Sequence, residues 1–327
     1  MAPEQNGAAE LLIAVRPTVT PRDVEERIVP IASILRHSQA SHALLVMAPW
    51  IAPRAQQQLR DRGIGYLDLT GNVSVSVPAP AIRLSLHGAL RSPYSQESTE
   101  RTVTLAGPRA GRIVRFLADF VPPYRAGQIA DACDVSLPWV SRLLRQLEDQ
   151  LLIRREGRVI TEVRWAELLR ARAETCNLLR NNAPESMLAP EGITTVLDAL
   201  KTRPLSGRDS PKIVVTGPYA AREVAPLTVG GQLMLYVDPE SDAPEAVGHQ
   251  LGLLRVDQGA DVLLLRAQDR VVFARPRTVD GIAHVALSQL VLDGLAGPGR
   301  MPAEAEGVLA YMAEDETRWR RPWVGGE

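Results

Sequence analysis

The sequence predicts a mixed α/β + α protein made of three segments. Helix and strand patterns alternate in residues 1–100 and again in residues 185–327, whereas residues 101–184 are mainly helical. Hydrophobic residues make up 45% of the 327-residue chain, enough for packed cores, so wholesale disorder is excluded. We therefore expect an N-terminal α/β domain, a central helical domain and a C-terminal α/β domain.

The first segment is predicted to run helix, strand, helix and then a small meander. Its predicted elements are a helix over 23–36, a strand over 42–47, a helix over 53–62 and strands over 64–69, 73–77 and 81–87. Pro30 is expected to kink or interrupt the first helix. Residues 91–102, rich in Ser, Glu and Thr, are predicted to form a linker.

The central segment is predicted to contain three helices, a hairpin and a further helix. The helices cover 109–120, 125–133 and 137–150, the hairpin covers 151–163 with its turn at Glu156-Gly157, and the last helix covers 165–179.

This order, with a short turn between the second and third helices, is typical of a winged helix-turn-helix. Asp134 occupies the turn, where Asp tolerates the left-handed region better than most residues, and Ser136 is placed to cap the third helix. The apolar stripe on that helix consists of Val140, Leu143, Leu144 and Leu147. The stripe predicts which face is buried and leaves Trp139, Arg142 and Arg145 on the outside.

A helix-turn-helix directs the outer face of its last helix to the major groove, where Arg can read guanine with two hydrogen bonds. The arginines of the hairpin are placed to contact phosphate or the minor groove. The predicted DNA-binding residues are Arg125, Ser136, Leu137, Trp139, Ser141, Arg142, Arg145, Arg154, Arg155 and Arg158. Two alternatives to DNA contact stay open at this point: the arginines are ordinary solvated side chains, and Trp139 covers the edge of the domain.

The net charge of −1 is unevenly distributed along the chain. Residues 1–100 are neutral, residues 101–172 carry thirteen Lys and Arg against eight Asp and Glu (+5), and residues 173–327 carry fifteen against twenty-one (−6). A basic centre fits nucleic-acid contact confined to one module, and it equally fits chance clustering of arginine in a helical stretch. The acidic C-terminal segment is expected to face away from DNA.

The third segment returns to mixed structure. Its predicted elements are a helix over 193–200, strands over 212–216, 234–237, 261–266 and 271–275, and helices over 287–295 and 302–313. The sequence Gly297-Pro298-Gly299 separates the last two helices.

Two stretches of the chain resemble the AbiEi antitoxin family of type IV toxin–antitoxin systems. The first is Ile51-Ala-Pro-Arg, followed by Leu59-Arg-Asp-Arg-Gly-Ile-Gly-Tyr-Leu-Asp-Leu-Thr-Gly-Asn72. The second is Val214-Val-Thr-Gly-Pro-Tyr-Ala-Ala221, followed by Met234-Leu-Tyr-Val237. The resemblance spans roughly residues 45–300. It implies a DNA-binding transcriptional regulator, usually an autorepressor, which in some systems has a cognate toxin.

The order of the first segment is also that of restriction-endonuclease-like cores, whose active sites need an acid on one strand and an acid-x-Lys on the next. Asp68 fits the first position, but the following strand, Ala81-Ile-Arg-Leu-Ser-Leu-His-Gly88, has neither an acid nor a lysine. Asp68 is therefore interpreted as fixing the Gly71-Asn72 turn, on a scaffold that is inactive if it is nuclease-like.

Other catalytic and membrane features are not found in the sequence. The five histidines are scattered without metal-ligand spacing, and Cys133 and Cys176 are interpreted as core residues. Residues 1–11 lack the basic start and apolar core of a signal peptide, so a soluble, cytoplasmic protein is expected. No cofactor, metal or membrane partner is expected.

The sequence thus predicts a double-stranded DNA-binding transcriptional regulator, a repressor or autorepressor that is not an enzyme. The alternative is a divergent metal-dependent nuclease or nucleotidyltransferase-like enzyme targeted by the winged helix. A third reading is an adaptor whose winged helix binds protein. We also expect a homodimer on an inverted repeat, with contacts from outside residues 107–163, where the helix over 165–179 offers Leu168, Leu169 and Leu178.

Overall fold

The computed structural model describes residues 10–37, 43–77, 81–90, 92–93, 104–202, 213–225, 231–238 and 244–325. The chain divides into two compact units, one of residues 1–103 and 141–154 and the other of residues 104–140 and 155–327. Mixed α/β structure is confirmed, while the division at 100/101 and 184/185 into three domains stays a prediction. The linker predicted over 91–102 lies outside the described residues except for Ser92 and Pro93, as do His42 and Lys212.

The first unit contains a five-stranded sheet in the order β1-β2-β3-β4-β5. Strands β1 to β3 are parallel to one another, and β4 and β5 continue the sheet as antiparallel strands. The strands are β1 (Leu11–Val15), β2 (Ala43–Ala48), β3 (Gly65–Asp68), β4 (Val73–Val77) and β5 (Ile82–Leu86). Strand β1 was not predicted, although Leu-Leu-Ile-Ala-Val is a short apolar run of the same kind as the one that predicted β2.

Two helices pack on one face of this sheet. Helix α1 runs through Pro21–Asp23, a π-helical turn over Val24–Ile28, and Val29–His37, and helix α2 covers Pro53–Asp61. Pro30 does not interrupt α1. Instead, the preceding turn widens so that the Val29 N–H donates to the Val24 carbonyl, which relieves the clash that a proline ring makes with the carbonyl four residues earlier. The first helix predicted over 23–36 is therefore continuous.

The second unit begins with a helix–hairpin segment, which we define as residues 108–163. Its elements are α3 (Pro108–Asp119), β6 (Phe120–Val121), β7 (Tyr124–Arg125), α4 (Ala126–Cys133), α5 (Leu137–Asp149), β8 (Ile153–Glu156) and β9 (Val159–Val163). Helix α5 is continuous, although its residues from Ser141 onward are assigned to the first unit. The predicted helix order and hairpin are confirmed.

Two boundaries in this region were predicted wrongly. Arg125 lies on β7 rather than in the second helix, because it pairs with Val159 and its N–H donates 2.8 Å to the Gln128 side chain that caps α4. The helix predicted over 165–179 is two helices, α6 (Trp165–Ala173) and α7 (Leu178–Asn181). The Asn177 side chain accepts from the Arg180 N–H at 2.9 Å and starts the second of these.

A seven-stranded sheet forms the rest of the second unit, in the order β13-β10-β14-β12-β11-β16-β15. Its strands are β10 (Pro184–Leu188), β11 (Ile213–Thr216), β12 (Leu233–Val237), β13 (Leu254–Arg255), β14 (Val262–Arg266), β15 (Arg277–Val279) and β16 (Ile282–His284). The accompanying helices are α8 (Ile193–Lys201), α9 (Gly217–Arg222), α10 (Pro244–Gln250), α11 (Leu287–Leu295) and α12 (Met301–Glu314), and the last strand is β17 (Arg321–Pro322).

The strand predicted over 271–275 is wrong: Arg270–Phe273 is a 3₁₀ helix. The Asp269 carboxylate accepts from the Val271 N–H at 2.9 Å and caps it, and Arg275 has φ of 56°, outside the strand region. The predicted dimer leucines Leu168, Leu169 and Leu178 are at most 3% exposed, because they pack inside the chain. They cannot form a dimer surface. Within the described ranges, no helix is long and apolar enough to cross a bilayer.

Candidate nucleic-acid interface

The turn between α4 and α5 depends on one residue in the left-handed region. Asp134 has φ of 51° and ψ of 53°, as the sequence predicts for that position. The Val135 N–H then donates 3.0 Å to the Ala130 carbonyl. Ile129, Ala130 and Cys133 form the buried side of α4, and burial raises the pKa of the Cys133 thiol to about 12. The thiol is therefore protonated at neutral pH, which supports its interpretation as a core residue.

Helix α5 has one buried and one outer face. Val140, Leu143, Leu144 and Leu147 are at most 1% exposed, which confirms the predicted stripe. Among the predicted DNA-binding residues on the outer face, Leu137, Arg142 and Arg145 are exposed, and Trp139 and Ser141 are half-buried. Ser136 directly precedes the helix, and its carbonyl accepts from the Trp139 and Val140 N–H groups at 3.0 and 3.1 Å. Trp139 and Arg142 lie one turn apart on the same face.

The hairpin after α5 carries the remaining predicted arginines. Strands β8 and β9 meet at Gly157, which has φ of 61° and so needs glycine's conformational freedom. Arg154 and Arg158 are exposed and Arg155 is half-buried. Arg125 on the edge strand β7 pairs with Val159, the residue that follows Arg158 in the chain.

The last turn of α5 is engaged by protein rather than open to a ligand. Glu148 lies 3.9 Å from the Arg22 guanidinium on α1. Burial raises the pKa of the neighbouring Asp149 carboxyl, although Arg22 acts in the opposite direction. The outer face available on α5 therefore runs from its first turn to Arg145.

A buried arginine fixes α3, the first helix of the segment, within the second unit. The Arg115 side chain is 2% exposed and donates to Gln289 at 2.7 Å and to the Val271 and Ala274 carbonyls at 3.2 Å. It also pairs with Asp119 at 3.1 Å, and Asp119 accepts a hydrogen bond from the Ser288 hydroxyl. The helical pattern over 109–120 did not mark Arg115 as buried, because its partners other than Asp119 lie more than 150 residues later in the sequence.

The C-terminal residues close the end of the same helix. Arg320 donates to the Ala118 and Phe120 carbonyls at 2.9 Å, which satisfies acceptors that the end of a helix leaves without partners. Arg321 and Pro322 pair with β6, and the Trp323 ring lies 4.9 Å from that of Phe116. The short strand β17 carries no alternation from which this contact could be predicted.

Asp68 is the one acid considered for a nuclease site, and both of its carboxylate oxygens accept hydrogen bonds from nearby residues. Its carboxylate accepts from the Thr70 N–H at 2.9 Å and hydroxyl at 2.7 Å, the Asn72 N–H at 3.1 Å and amide at 3.0 Å, and the Ile51 N–H at 3.2 Å. Burial acts to raise the pKa of this carboxyl, but these hydrogen bonds outweigh it and hold the pKa below its ordinary value. The predicted role of Asp68 in fixing the turn at Gly71-Asn72 is confirmed.

Within the residues that the structure describes, no three His, Cys, Asp or Glu side chains are grouped to hold a metal ion. No protein-family model, curated protein or solved structure matches this chain.

Proposed function

We propose that the helix–hairpin segment is a winged helix-turn-helix and that the chain is a sequence-specific, double-stranded DNA-binding transcriptional regulator. The observation that carries the proposal is the geometry at α4 and α5. A left-handed Asp134 joins two helices, and the second buries its apolar stripe and leaves Arg142 and Arg145 exposed. The +5 charge of residues 101–172 supports the same proposal.

In this proposal the arginines divide into two groups by the element that carries them. Arg142 and Arg145 on α5 read base edges in the major groove, where Trp139, Ser141 and Leu137 contribute contacts. Arg125, Arg154, Arg155 and Arg158 contact phosphates or the minor groove, and Ser136 contacts the backbone at the start of the helix. The resemblance to AbiEi antitoxins points to the same class, with autorepression as the expected mode of regulation.

The test is binding of the full chain to random and selected duplexes at several salt concentrations. If the four arginines outside α5 each neutralise one phosphate, log affinity should fall with log salt with a slope of about −4 per copy. A selected duplex should bind at least about a thousandfold more tightly than random DNA. Affinity that does not depend on salt would contradict the proposal.

The same samples discriminate the other classes. Incubation of plasmid DNA with the protein and Mg²⁺ or Mn²⁺ tests the nuclease. We expect binding without turnover, because the hydrogen bonds to Asp68 occupy its oxygens. Metal-dependent cleavage that persists in an Asp68→Asn variant would favour a different active site. The adaptor would bind no duplex at any salt concentration.

A further inference from the structure

The sheet of the first unit has two faces of very different character. In the register of β1 to β5, one face carries Val46 and Tyr66, which are 0% and 1% exposed beneath helices α1 and α2. Where this face continues onto β4 and β5 it is polar, with Ser74 opposite Ser85 and Ser76 opposite Arg83.

The other face is apolar across all five strands. Its register rows run from Ile13 through Leu45 and Gly65 to Val75 and Leu84, and from Val15 through Met47 and Leu67 to Val73 and Leu86. We call this surface the apolar sheet face. Its outer members remain exposed in the whole chain: Leu11 39%, Ile13 52%, Val15 73%, Ile82 47%, Leu84 45% and Leu86 51%. Leu45 and Val73 in the middle of these rows are buried, at 7% each. The outer strands β1 and β5 lack the layer that normally covers the second face of a parallel sheet.

We infer that a second copy of this chain covers the apolar sheet face, so that two sheets pack face to face in a homodimer. Two rows on five strands, with a third row of Leu11, Ala43, Val77 and Ile82 on four strands, span on the order of 500 Å² of sheet. Two copies would bury about 1,000 Å² together, near the lower limit for a specific interface. Two sheets pack face to face at about 10 Å separation. A uniformly apolar face can pack against the same face of a second copy that is related to it by a two-fold axis.

Two further observations favour a second copy over other occupants. The rows of the apolar sheet face contain no charged side chain, so they offer nothing for a charged partner to recognise. The parts of residues 1–103 outside the described ranges contain only Met1, Tyr94 and Val103 as large apolar residues, too few to cover five strands. The inference deepens the proposed function and rests on it in its choice of a two-fold symmetric dimer. A regulator that reads two half-sites needs two copies related by a two-fold axis.

The test uses two adjacent residues of β5 that point to opposite faces. Leu84→Asp puts a charge on the apolar sheet face, and Ser85→Asp puts the same charge on the polar face as a matched control. Sedimentation equilibrium of the full chain from 1 to 100 µM measures the dimer Kd. We expect wild type and Ser85→Asp to dimerise, and Leu84→Asp to raise Kd at least about tenfold, because the charge would be buried without a partner.

Val15→Asp, at the most exposed position of the face, repeats the test on β1 in case Leu84→Asp does not fold. A wild type that stays monomeric at 100 µM overturns the inference, as does retention of the dimer in the folded face variants. If Ser85→Asp raises the dimer Kd as much as Leu84→Asp does, the inference is overturned. That result would favour a dimer in which the edges of the two β5 strands pair.

DNA binding separates this inference from the proposed function. A monomeric Leu84→Asp chain should bind a single half-site duplex like wild type and lose only the added affinity for two half-sites. If no form of the protein binds DNA, the proposed function fails, while sedimentation still decides the dimer.

Discussion

Arg115 on α3 donates a 2.7 Å hydrogen bond to Gln289 on α11, and both side chains are buried. The bond ties the first helix of the proposed winged helix to the C-terminal part of the same compact unit. A fragment ending near residue 184 would leave Arg115 without Gln289 and without the Val271 and Ala274 carbonyls. The function is therefore best tested on the full chain.

Replacing Arg115 by Met should lower the free energy of unfolding by about 3 kcal/mol, because a buried ion pair loses one partner and leaves Asp119 charged in the interior. Arg170→Met is the matched control, since Arg170 pairs with Glu306 at 2.6 Å while both side chains remain more than 40% exposed. The control should cost at most about 1 kcal/mol. Urea unfolding of both variants measures the difference, and similar losses would contradict the role assigned to Arg115.

Replacing Arg142 by Ala should weaken binding to the selected duplex by about 1–3 kcal/mol and relax the sequence preference at one or two positions. Arg266→Ala, at an exposed arginine on β14, provides the control and should bind like wild type. Binding measured across single-base variants of the site gives the preference. An unchanged preference would reassign Arg142 to a phosphate contact.

The hairpin should behave differently from α5. Replacing Arg158 by Ala should weaken all duplexes by a similar factor and reduce the slope of log affinity against log salt by about 1, because one phosphate contact is lost. Titration of one selected and one random duplex between 50 and 200 mM salt measures both effects. Loss confined to the selected duplex would instead indicate base reading by the hairpin.

His284 on β16 should make the protein sensitive to mild acid. Burial, with a further contribution from Arg277, lowers the pKa of this imidazole to about 4 from an ordinary 6.5. The unfolded chain therefore binds a proton below pH 6.5 that the native chain takes up only near pH 4, so stability falls as the pH drops through that interval. At pH 5 the loss from this group is about 2 kcal/mol.

A His284→Leu variant should lose less stability than wild type between pH 7 and 5, as measured by urea unfolding at each pH. The value at pH 7, where the native imidazole is neutral, reports the cost of the substitution itself. An identical pH dependence in wild type and variant would rule out this role for His284.

Local sequence signals predicted the elements of the helix–hairpin segment well. Asp134 marked the left-handed turn, the four-residue stripe marked the buried face of α5, and Gly157 marked the hairpin. These features are set by backbone conformation and helical period, which a few neighbouring residues determine.

Contacts between distant residues could not be predicted in this way. Arg115 resembles any solvated helix arginine until Gln289 is brought beside it, and Arg320 is separated from Ala118 by 202 positions. The apolar run at 271–275 reads as a strand, but the cap from Asp269 turns it into a 3₁₀ helix. The alternation on β5 predicted a strand but not whether its apolar side would be covered.

The contact between Arg320 and the end of α3 also determines when, during synthesis of the chain, α3 can acquire all of its contacts. The carbonyls of Ala118 and Phe120 are made 200 or more residues before their partner, a delay of about 10–40 s at ordinary translation rates. Throughout that interval the proposed DNA-binding module lacks the contacts that close its first helix. If the chain is the proposed repressor, a nascent chain, or a product truncated before Arg320, should therefore compete poorly for the operator, and only finished molecules should repress.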